Sequence, residues 1–465
     1  MQQQGHIRNL FVLGDNAFNE EHQLRPLSEA YGYNYHTLTR YRDSTVDARP
    51  ALETLRIARE RLAAFDGSVD GLITFFDFPV SILAPMLCRE FGLPSPSVQS
   101  VLHCEHKYLS RRLQREVAPE AVPAFARVDP DRDAADTWHT ITDAGLDTPF
   151  WIKPCKGFLS MLAFRIESRG DLDEALEQIR QSVDRFAEPL ERLLDAMDVD
   201  LPEGLDHRTA ARLFIAEEDI ATSMACTVEG HRFEGQTRLH GVVDSYRYPG
   251  TSVFQRYQYP SHLPPQVRDR MLDVSARVLD RFGFDGGAFN IEYFWDPRTD
   301  RLSLLEVNPR ISQSHAPQFR MVDGDANMKV ITDLALGQQP TMGQDAGEHA
   351  MAAKFMLRSF VQDGTVTRSP GQADIAAVRR QFPGTLVLPT VSFGHRLSEQ
   401  RDADSYSWLL AEIYMGGRNE EELLAHFLQA ADMLGFRIDG KPVELCDARD
   451  LMSRPSERSD RPFSS

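Results

Sequence analysis

Glu292 and Glu306 are the residues of this chain whose types and spacing most directly suggest chemistry. Each lies in a segment of alternating apolar residues, 289–296 or 301–310, that is rich in aromatic or branched side chains. An Asp-Pro step opens the short connection between the two segments, so the pattern predicts a β-hairpin. Pairing around that turn places the two glutamates opposite each other, with Asn308 on the same face.

Two carboxylates that face each other across a hairpin repel and destabilise it, unless a cation or solvent compensates them. Mg2+ is a suitable cation, because it prefers oxygen ligands and is usually held by one or two carboxylates together with substrate phosphates. Arg310 extends the polar row and adds a fixed cation for phosphoryl oxygens. The alternative is a solvated hairpin face whose glutamates are merely neighbours.

The Glu-Val-Asn-Pro-Arg string at 306–310, behind an acidic strand, resembles the metal-binding signature of the ATP-grasp superfamily, in particular its carboxylate-amine ligases. The resemblance implies that Glu292, Glu306 and Asn308 hold Mg2+, with Mn2+ as an alternative, against the phosphates of ATP. Arg310 would then steady the oxygens of an acyl phosphate. The implied reaction is phosphorylation of a carboxylate by ATP, followed by attack of an amine to give an amide, ADP and phosphate.

The resemblance also implies cationic contacts to the nucleotide. Lys107 occupies the place of a phosphate-binding lysine early in a helix, and Lys153 ends a strand where a second such lysine stands. The loop that follows normally closes over the phosphates and is glycine-rich, because close approach of backbone N–H groups requires missing side chains. Here only Gly157 remains, so Lys156 and Ser160 are expected to bind through their side chains.

A later strand resembles the one that lines the adenine pocket in this superfamily. Glu217, Glu218 and Ile220 are the positions expected to meet the adenine. Related proteins often continue with a glutamate that binds the ribose, whereas this chain has Ser223 and Met224 at the matching place. Ribose recognition therefore has to come from elsewhere in the chain.

Two segments are candidates for substrate binding. The stretch 241–265 is rich in Tyr, Arg, Pro and Gly and contains Arg256; we interpret it as a long loop suited to an anionic or amphipathic small molecule. The alternative is a surface loop packed by its own tyrosines. Ser312 and His315 follow the hairpin, where a substrate carboxylate would sit, although capping and packing roles also suit them.

The N-terminal part alternates short apolar runs with helical patterns, which predicts a doubly wound α/β domain. No G-x-G-x-x-G or Walker A motif is present, so neither a Rossmann cofactor site nor a P-loop is expected. The predicted elements of this part are strands 8–14 and 69–76 and helices 51–64 and 80–91.

The rest of the chain predicts an ATP-grasp domain in two parts, with a lid, and a small C-terminal α+β domain. Helices are expected at 171–197, 266–282, 327–336 and 420–434, two strands around a Glu229-Gly-His turn in 227–241, and strand-like runs at 385–389 and 391–393. The predicted divisions are an N-terminal pre-ATP-grasp domain 1–104, a first ATP-grasp half with lid 105–215, a second half with the metal site 216–340, a C-terminal domain 341–452 and a disordered tail 453–465.

Composition restricts the partners of the chain. A formal charge of −18 over 465 residues argues against nucleic acid and anionic membrane surfaces and favours small molecules met by local basic residues. The chain lacks a membrane-spanning apolar run and a signal peptide, and its five cysteines are scattered, which together predict a cytoplasmic protein with reduced thiols. The expected partners are a carboxylate and an amine, with amino acids as the family-based guess, and a homodimer is allowed.

Two other functions compete with the ligase. In the first, bicarbonate replaces the carboxylate, as in biotin-dependent carboxylases; the absence of a biotin-carrier sequence and the presence of the aromatic stretch 241–265 disfavour it. In the second, the protein is a non-catalytic nucleotide-binding module, which the glycine-poor lid and the missing ribose glutamate favour. Retention of the complete metal-binding hairpin argues against that module.

Overall fold

The computed structural model describes residues 7–44, 49–156, 162–220, 224–248, 251, 253–400 and 407–444. Within these ranges the chain forms four sheets, one of which has eight strands and carries the predicted hairpin. None of the helices in the described ranges combines the length and the apolar character that crossing a membrane requires.

The N-terminal part is an α/β unit built on a parallel sheet. Its elements are β1 (Asn9–Asp15), α1 (Ala17–Asn19), α2 (Arg25–Tyr31), β2 (Asn34–Arg40), α3 (Tyr41–Ser44), α4 (Ala51–Ala63), β3 (Gly71–Ile73), α5 (Val80–Phe91) and α6 (Val98–Glu105). The strand order is β2-β1-β3, and the central β1 is almost fully buried, as expected for a parallel strand covered on both faces. β1, α4 and α5 confirm the predicted strand 8–14 and helices 51–64 and 80–91, whereas β3 occupies only Gly71–Ile73 of the predicted strand 69–76. β2 is additional, because its polar sequence lacks the apolar run that marks the other strands.

A smaller antiparallel sheet follows, with strand order β4-β7-β5-β6. Its elements are α7 (Lys107–Val117), β4 (Phe125–Val128), α8 (Ala134–Asp143), β5 (Phe150–Pro154), β6 (Phe164–Ile166), α9 (Arg169–Met197), α10 (His207–Arg212) and β7 (Phe214–Glu218). α9 confirms the predicted long helix; a capping box between Ser168 and Asp171 fixes its start, and its apolar stripe covers this sheet.

The largest sheet is antiparallel and runs in the order β12-β11-β8-β9-β10-β13-β16-β15. The third part of the chain contributes β8 (Met224–Phe233), β9 (Gln236–Arg247), β10 (Phe254–Tyr259), α11 (Pro265–Phe282), β11 (Gly287–Asp296), β12 (Arg301–Asn308), α12 (Ala316–Asp323) and α13 (Asn327–Ala335). The last part contributes β13 (Met351–Ser359), β14 (Val366–Arg368), α14 (Gln372–Gln381), β15 (Leu386–Pro389), β16 (Trp408–Gly417), α15 (Glu420–Leu434), β17 (Arg437–Ile438) and β18 (Lys441–Pro442).

Three local predictions are wrong. The stretch 241–265 is not one long loop, because β9 continues to Arg247 and β10 occupies Phe254–Tyr259. The turn expected at Glu229 lies instead at Glu234-Gly235, both with positive φ, so Glu229 is inside a strand. Residues 391–393 form no strand; they belong to a turn region after β15.

The eight-stranded sheet crosses the predicted division at residue 341. β10 pairs with β13 from Arg256 opposite Phe355 to Tyr259 opposite Ala352, so the last part of the chain adds strands to the sheet that holds the hairpin. The last part also has an apolar core of its own, in which α15 packs on β13 and β16. The predicted tail 453–465 lies outside the described residues.

Candidate active site

The predicted hairpin is present, and its register is the predicted one. Glu292 on β11 lies opposite Glu306 on β12, and Asn290 lies opposite Asn308. A register shift beyond the glutamate pair leaves Leu305 without a partner residue, which is a β-bulge. Two carboxylates and two amides are thereby collected on one face of the sheet edge.

The two glutamates have opposite electrostatic environments. Burial and the charge of Glu306 raise the pKa of Glu292 to about 7. Burial also disfavours the charged form of Glu306, but Lys107 outweighs it and lowers the pKa of Glu306 to about 2, with Lys153 and Lys156 adding to the effect. Glu306 is therefore the anchored anion, and a divalent cation between the pair would favour ionisation of Glu292 as well.

The three lysines expected to contact phosphates converge on this site. Lys107 Nζ lies 3.0 Å from Glu306 Oε1 and is one-fifth exposed. Lys153 forms an ion pair with Glu217, and Lys156 Nζ lies 3.2 Å from Glu105 while packing over the ring of Phe78. Lys107 is far in sequence from Lys153 and Lys156, yet the fold places all three close enough to affect Glu306.

Lys107 is positioned by the start of α7. The buried imidazole of His106 caps this helix, accepting from Leu109 N at Nδ1, and its Nε2 lies 3.0 Å from Ala210 O. Burial lowers the pKa of His106 to about 4, so the imidazole is neutral and can accept at one nitrogen while donating at the other. The Lys107 N–H donates to Cys155 O at 2.8 Å, which joins the start of α7 to the end of β5.

Glu217 is enclosed by cations. Its carboxylate receives Arg111 Nε at 2.6 Å and the ammonium of Lys153, and the same guanidinium donates to Leu305 O at the bulge, also at 2.6 Å. Burial alone would raise the pKa of Glu217, but Arg111 and Lys153 lower it to about 2. Arg111 thus connects the small sheet to the hairpin β11–β12.

The other residues proposed for the nucleotide are more exposed or lie outside the described residues. Glu218 is ion-paired with Arg301, with Nη2 to Oε2 at 2.7 Å, and Ile220 lies two residues beyond β7. Met224 is the first residue of β8. Ser160 and Ser223 are outside the described residues, so the lid contacts stay predictions.

Arg310 faces both the hairpin and the N-terminal part. Its Nη2 and Nε lie 2.6 and 2.7 Å from Asp77 Oδ1, in the segment that follows β3. Burial disfavours its charge, but Asp77 outweighs burial and raises the pKa of Arg310. A guanidinium held at this edge is suited to bind oxyanions next to the glutamate pair.

The proposed substrate residues have different environments. Ser312 N and His315 Nδ1 both lie within 3.0 Å of Glu229, and His315 is almost fully buried. Arg256 has no exposed surface, donates to Glu420 Oε1 at 2.8 Å and stacks on Tyr246. Arg256 was proposed as part of an open loop; in the structure it is an interior residue of a strand, which favours a structural role.

The donor set fits Mg2+ better than a softer metal. Within the described ranges there is no cluster of three or more His, Cys, Asp or Glu side chains arranged to hold a metal. Two carboxylate oxygens and one amide oxygen leave half of an octahedral shell to water and phosphate, an arrangement that suits Mg2+. Glu292, Glu306 and Asn308 would hold the ion.

Sequence reasoning missed Asn290, Glu229, Arg111 and Asp77 as parts of this site. Asn290 could have been found, since it precedes Glu292 by two positions on the same strand and therefore shares its face. Arg111 lies one turn after Lys107 on α7, a spacing that does not by itself indicate a buried ion pair. Glu229 and Asp77 come from distant segments, so no local pattern indicated them.

Comparison with known proteins agrees with this geometry. A family model described as the ATP-binding domain of the carbamoyl-phosphate synthase L chain matches residues 259–339, which include the hairpin. The carbamoyl phosphate synthase large chain of Paenarthrobacter aurescens is 40% identical over 68 residues, which cover 15% of this chain and only 6% of that protein. The uncharacterized protein y4rH of Sinorhizobium fredii is 24% identical over 368 residues, covering 75% of this chain and 69% of that one.

Solved structures resemble nearly the whole chain. The L-amino acid ligase of Bacillus licheniformis has a TM-score of 0.67 at 16% identity and covers 93% of this chain and 98% of its own. The biotin carboxylase of Campylobacter jejuni has a TM-score of 0.63 at 13% identity, and the match covers 93% of this chain and 92% of the carboxylase chain. These likenesses show that the chain has the ATP-grasp fold. At these identities the comparisons establish the fold of this chain and leave its substrates open.

Proposed function

We propose that this protein is an ATP-dependent ligase that joins a carboxylate to an amine through an acyl phosphate. The carrying observation is the pair Glu292 and Glu306, opposite each other on the hairpin, with three lysines acting on Glu306. The full-length resemblance to an L-amino acid ligase supports an amino acid as one substrate. ATP and Mg2+ are the cofactors that this reaction requires.

The proposed reaction has two steps. An oxygen of the substrate carboxylate attacks the γ-phosphorus of ATP, the bond to the β–γ bridging oxygen breaks, and ADP leaves. The neutral amine then attacks the acyl carbon, the bond to the phosphate oxygen breaks, and the amine releases a proton as the amide forms. Bound Mg2+ would supply charge neutralisation at the phosphates.

The protein contributes position and charge in both steps, and no side-chain nucleophile is required. Lys107 and Lys153 would neutralise phosphate oxygens. Arg310, at the edge of the hairpin, would bind the oxygens of the acyl phosphate. Because Lys107 and Lys153 are paired with Glu306 and Glu217 in the structure, nucleotide binding would recruit cations that are already in place.

The test is phosphate release from ATP with Mg2+, screened over pairs of amino acids and simple carboxylates. The parent protein is compared with Glu306→Ala and with Glu421→Ala, an exposed glutamate on α15 that serves as the matched control. Release that requires both an acid and an amine, persists in Glu421→Ala and disappears in Glu306→Ala would support the ligase. Release that requires bicarbonate alone would indicate a carboxylase-like enzyme, and ATP binding without release across the screen would indicate a binding module.

A further inference from the structure

We infer that Glu229 is a positioning residue that sets the direction of a chain of side-chain amides, Asn290 and Asn308, so that Asn308 presents its oxygen to the metal. Glu229 also holds the segment that follows Arg310. This inference rests on the proposed metal site. It assigns a role to a carboxylate that would touch neither the metal nor the nucleotide.

Glu229 is a fully buried carboxylate in the interior of the largest sheet. Its Oε1 receives Asn290 Nδ2 at 2.7 Å, Ser312 N at 3.0 Å and His315 Nδ1 at 2.9 Å. Its Oε2 receives Asn327 Nδ2 at 3.4 Å. Burying a charge is costly unless hydrogen bonds compensate it, and four donors from three other segments do so here.

The orientation of the two amides, Asn290 and Asn308, follows from the chemistry of the Glu229 carboxylate. An ionised carboxylate only accepts, so Asn290 has to turn its Nδ2 towards Glu229. Its Oδ1 is then free to accept Asn308 Nδ2, which lies 3.2 Å away and also 3.5 Å from Glu292 Oε1. Asn308 therefore keeps its Oδ1 available, and an amide oxygen is the atom that Mg2+ binds.

The same carboxylate fixes the backbone beyond the hairpin. Ser312 N and His315 Nδ1 share Oε1 of Glu229, so the segment between Arg310 and α12 is held against β8. Partners of this kind, one step behind the metal ligands, typically change metal affinity by about 10- to 100-fold when removed. Glu229 is thus placed to act on the metal through Asn290 and Asn308 and on Arg310 through the segment after it.

The test measures the Mg2+ concentration that half-saturates ADP binding, by calorimetry, in the full chain. Glu229→Met, which keeps the volume but cannot accept, is expected to raise this concentration about 10-fold or more. Glu229→Gln is expected to keep the half-saturating Mg2+ concentration within about 3-fold of the parent value, because its amide oxygen keeps the three donors. Its nitrogen can donate to Asn327 Oδ1, which has no hydrogen-bond partner among the described residues. Asn290→Ala interrupts the amide chain, leaves Glu229 its other three donors, and is expected to raise the half-saturating Mg2+ concentration as Glu229→Met does.

A second background separates positioning from general structural damage. The substitution Asn308→Asp replaces the amide by a carboxylate, which offers oxygen in either orientation. In that background Glu229→Met is expected to leave the half-saturating Mg2+ concentration unchanged. A merely structural role would raise it by the same factor in both backgrounds. Thermal unfolding without Mg2+ identifies a variant that has failed to fold, and Asn290→Ala then carries the test.

Two results separate this inference from the proposed function. If Glu306→Ala leaves the Mg2+ requirement unchanged, the metal site itself is wrong and the proposed function fails with it. If Glu306→Ala raises the requirement but Glu229→Met and Asn290→Ala do not, the amide chain is overturned and the metal site stands.

Discussion

Glu217 and Glu218 are neighbours on β7 whose side chains meet opposite conditions. Glu217 is 3% exposed and lies between two cations, whereas Glu218 is one-third exposed and pairs with Arg301 at the surface. Breaking a buried ion pair leaves an uncompensated charge, while an exposed pair is screened by solvent. The two positions form a matched pair for measuring how much burial matters here.

Glu217→Gln is expected to lower the free energy of unfolding by about 3 kcal/mol at pH 7, because Arg111 and Lys153 lose their shared counter-ion. Glu218→Gln is expected to cost less than about 1 kcal/mol. Urea unfolding of both variants and the parent measures the difference. Equal losses at the two positions would contradict the interpretation.

The pH dependence of Glu217 has a defined sign. Its folded pKa, about 2, lies below its ordinary value, so its charge stabilises the fold above pH 4.5 and that contribution is lost as the pH falls towards 2. The difference in free energy of unfolding between the parent and Glu217→Gln, measured in urea, is therefore expected to be constant from pH 7 to about 5. It is expected to narrow below about pH 4.5. A gap that narrows between pH 7 and 6 would point to another group.

At the scale of elements, the hairpin β11–β12 was predictable, whereas the strands beside it were not. β11 and β12 combine strict alternation with an Asp-Pro turn, so both strands and their register follow from local sequence. β9 and β10 run through a stretch rich in Tyr, Pro and Gly that is typical of a loop. Their pairing is completed by β13, which is far away in sequence, so tertiary contacts override local preference there.

β9 has a bulge opposite Glu229 and Gly230, and the close strand packing at this point could not be predicted from the sequence. A Cβ on Gly230 would clash with the ring of Phe289 and lie 2.5 Å from Arg238 O, so this position needs glycine for close approach of a neighbouring strand. Glycine between Glu229 and His231 was interpreted as a turn. The same residue instead allows three strands to pack closely around the buried carboxylate.

Gly230→Ala is expected to destabilise the protein by about 1–3 kcal/mol, because the added methyl group displaces Phe289 or the β9 backbone. It is also expected to raise the half-saturating Mg2+ for ADP, since Glu229 shifts with it. Gly170→Ala is the control: its Cβ would lie 3.7 Å from Ser168 Oγ at the start of α9, and it is expected to be neutral or slightly stabilising. Urea unfolding and ADP calorimetry report the two effects; a Gly230→Ala protein as stable as the parent would contradict this packing.

For the whole molecule, the eight-stranded sheet joins the part that carries the hairpin β11–β12 to the last part of the chain. Side-chain contacts reinforce this continuity, because the fully buried Arg256 on β10 donates to Glu420 at the start of α15. Neither residue marks the connection locally: an arginine in a tyrosine-rich stretch and the first glutamate of a helix both suit the surface. Sequence patterns therefore give the separate elements, while long-range pairing determines how the parts are joined.

Glu420→Gln is expected to lower the free energy of unfolding by about 3 kcal/mol, because the buried guanidinium of Arg256 loses its ion-pair partner and keeps only the more distant charge of Asp244. Glu421→Gln changes the next residue, which is exposed on the same first turn of α15, and is expected to change stability by less than about 0.5 kcal/mol. Urea unfolding is followed by intrinsic fluorescence and by far-ultraviolet circular dichroism. Since one sheet spans both parts, the transitions followed by the two probes are expected to shift together in Glu420→Gln. Separate transitions would show that the last part unfolds independently of the hairpin β11–β12.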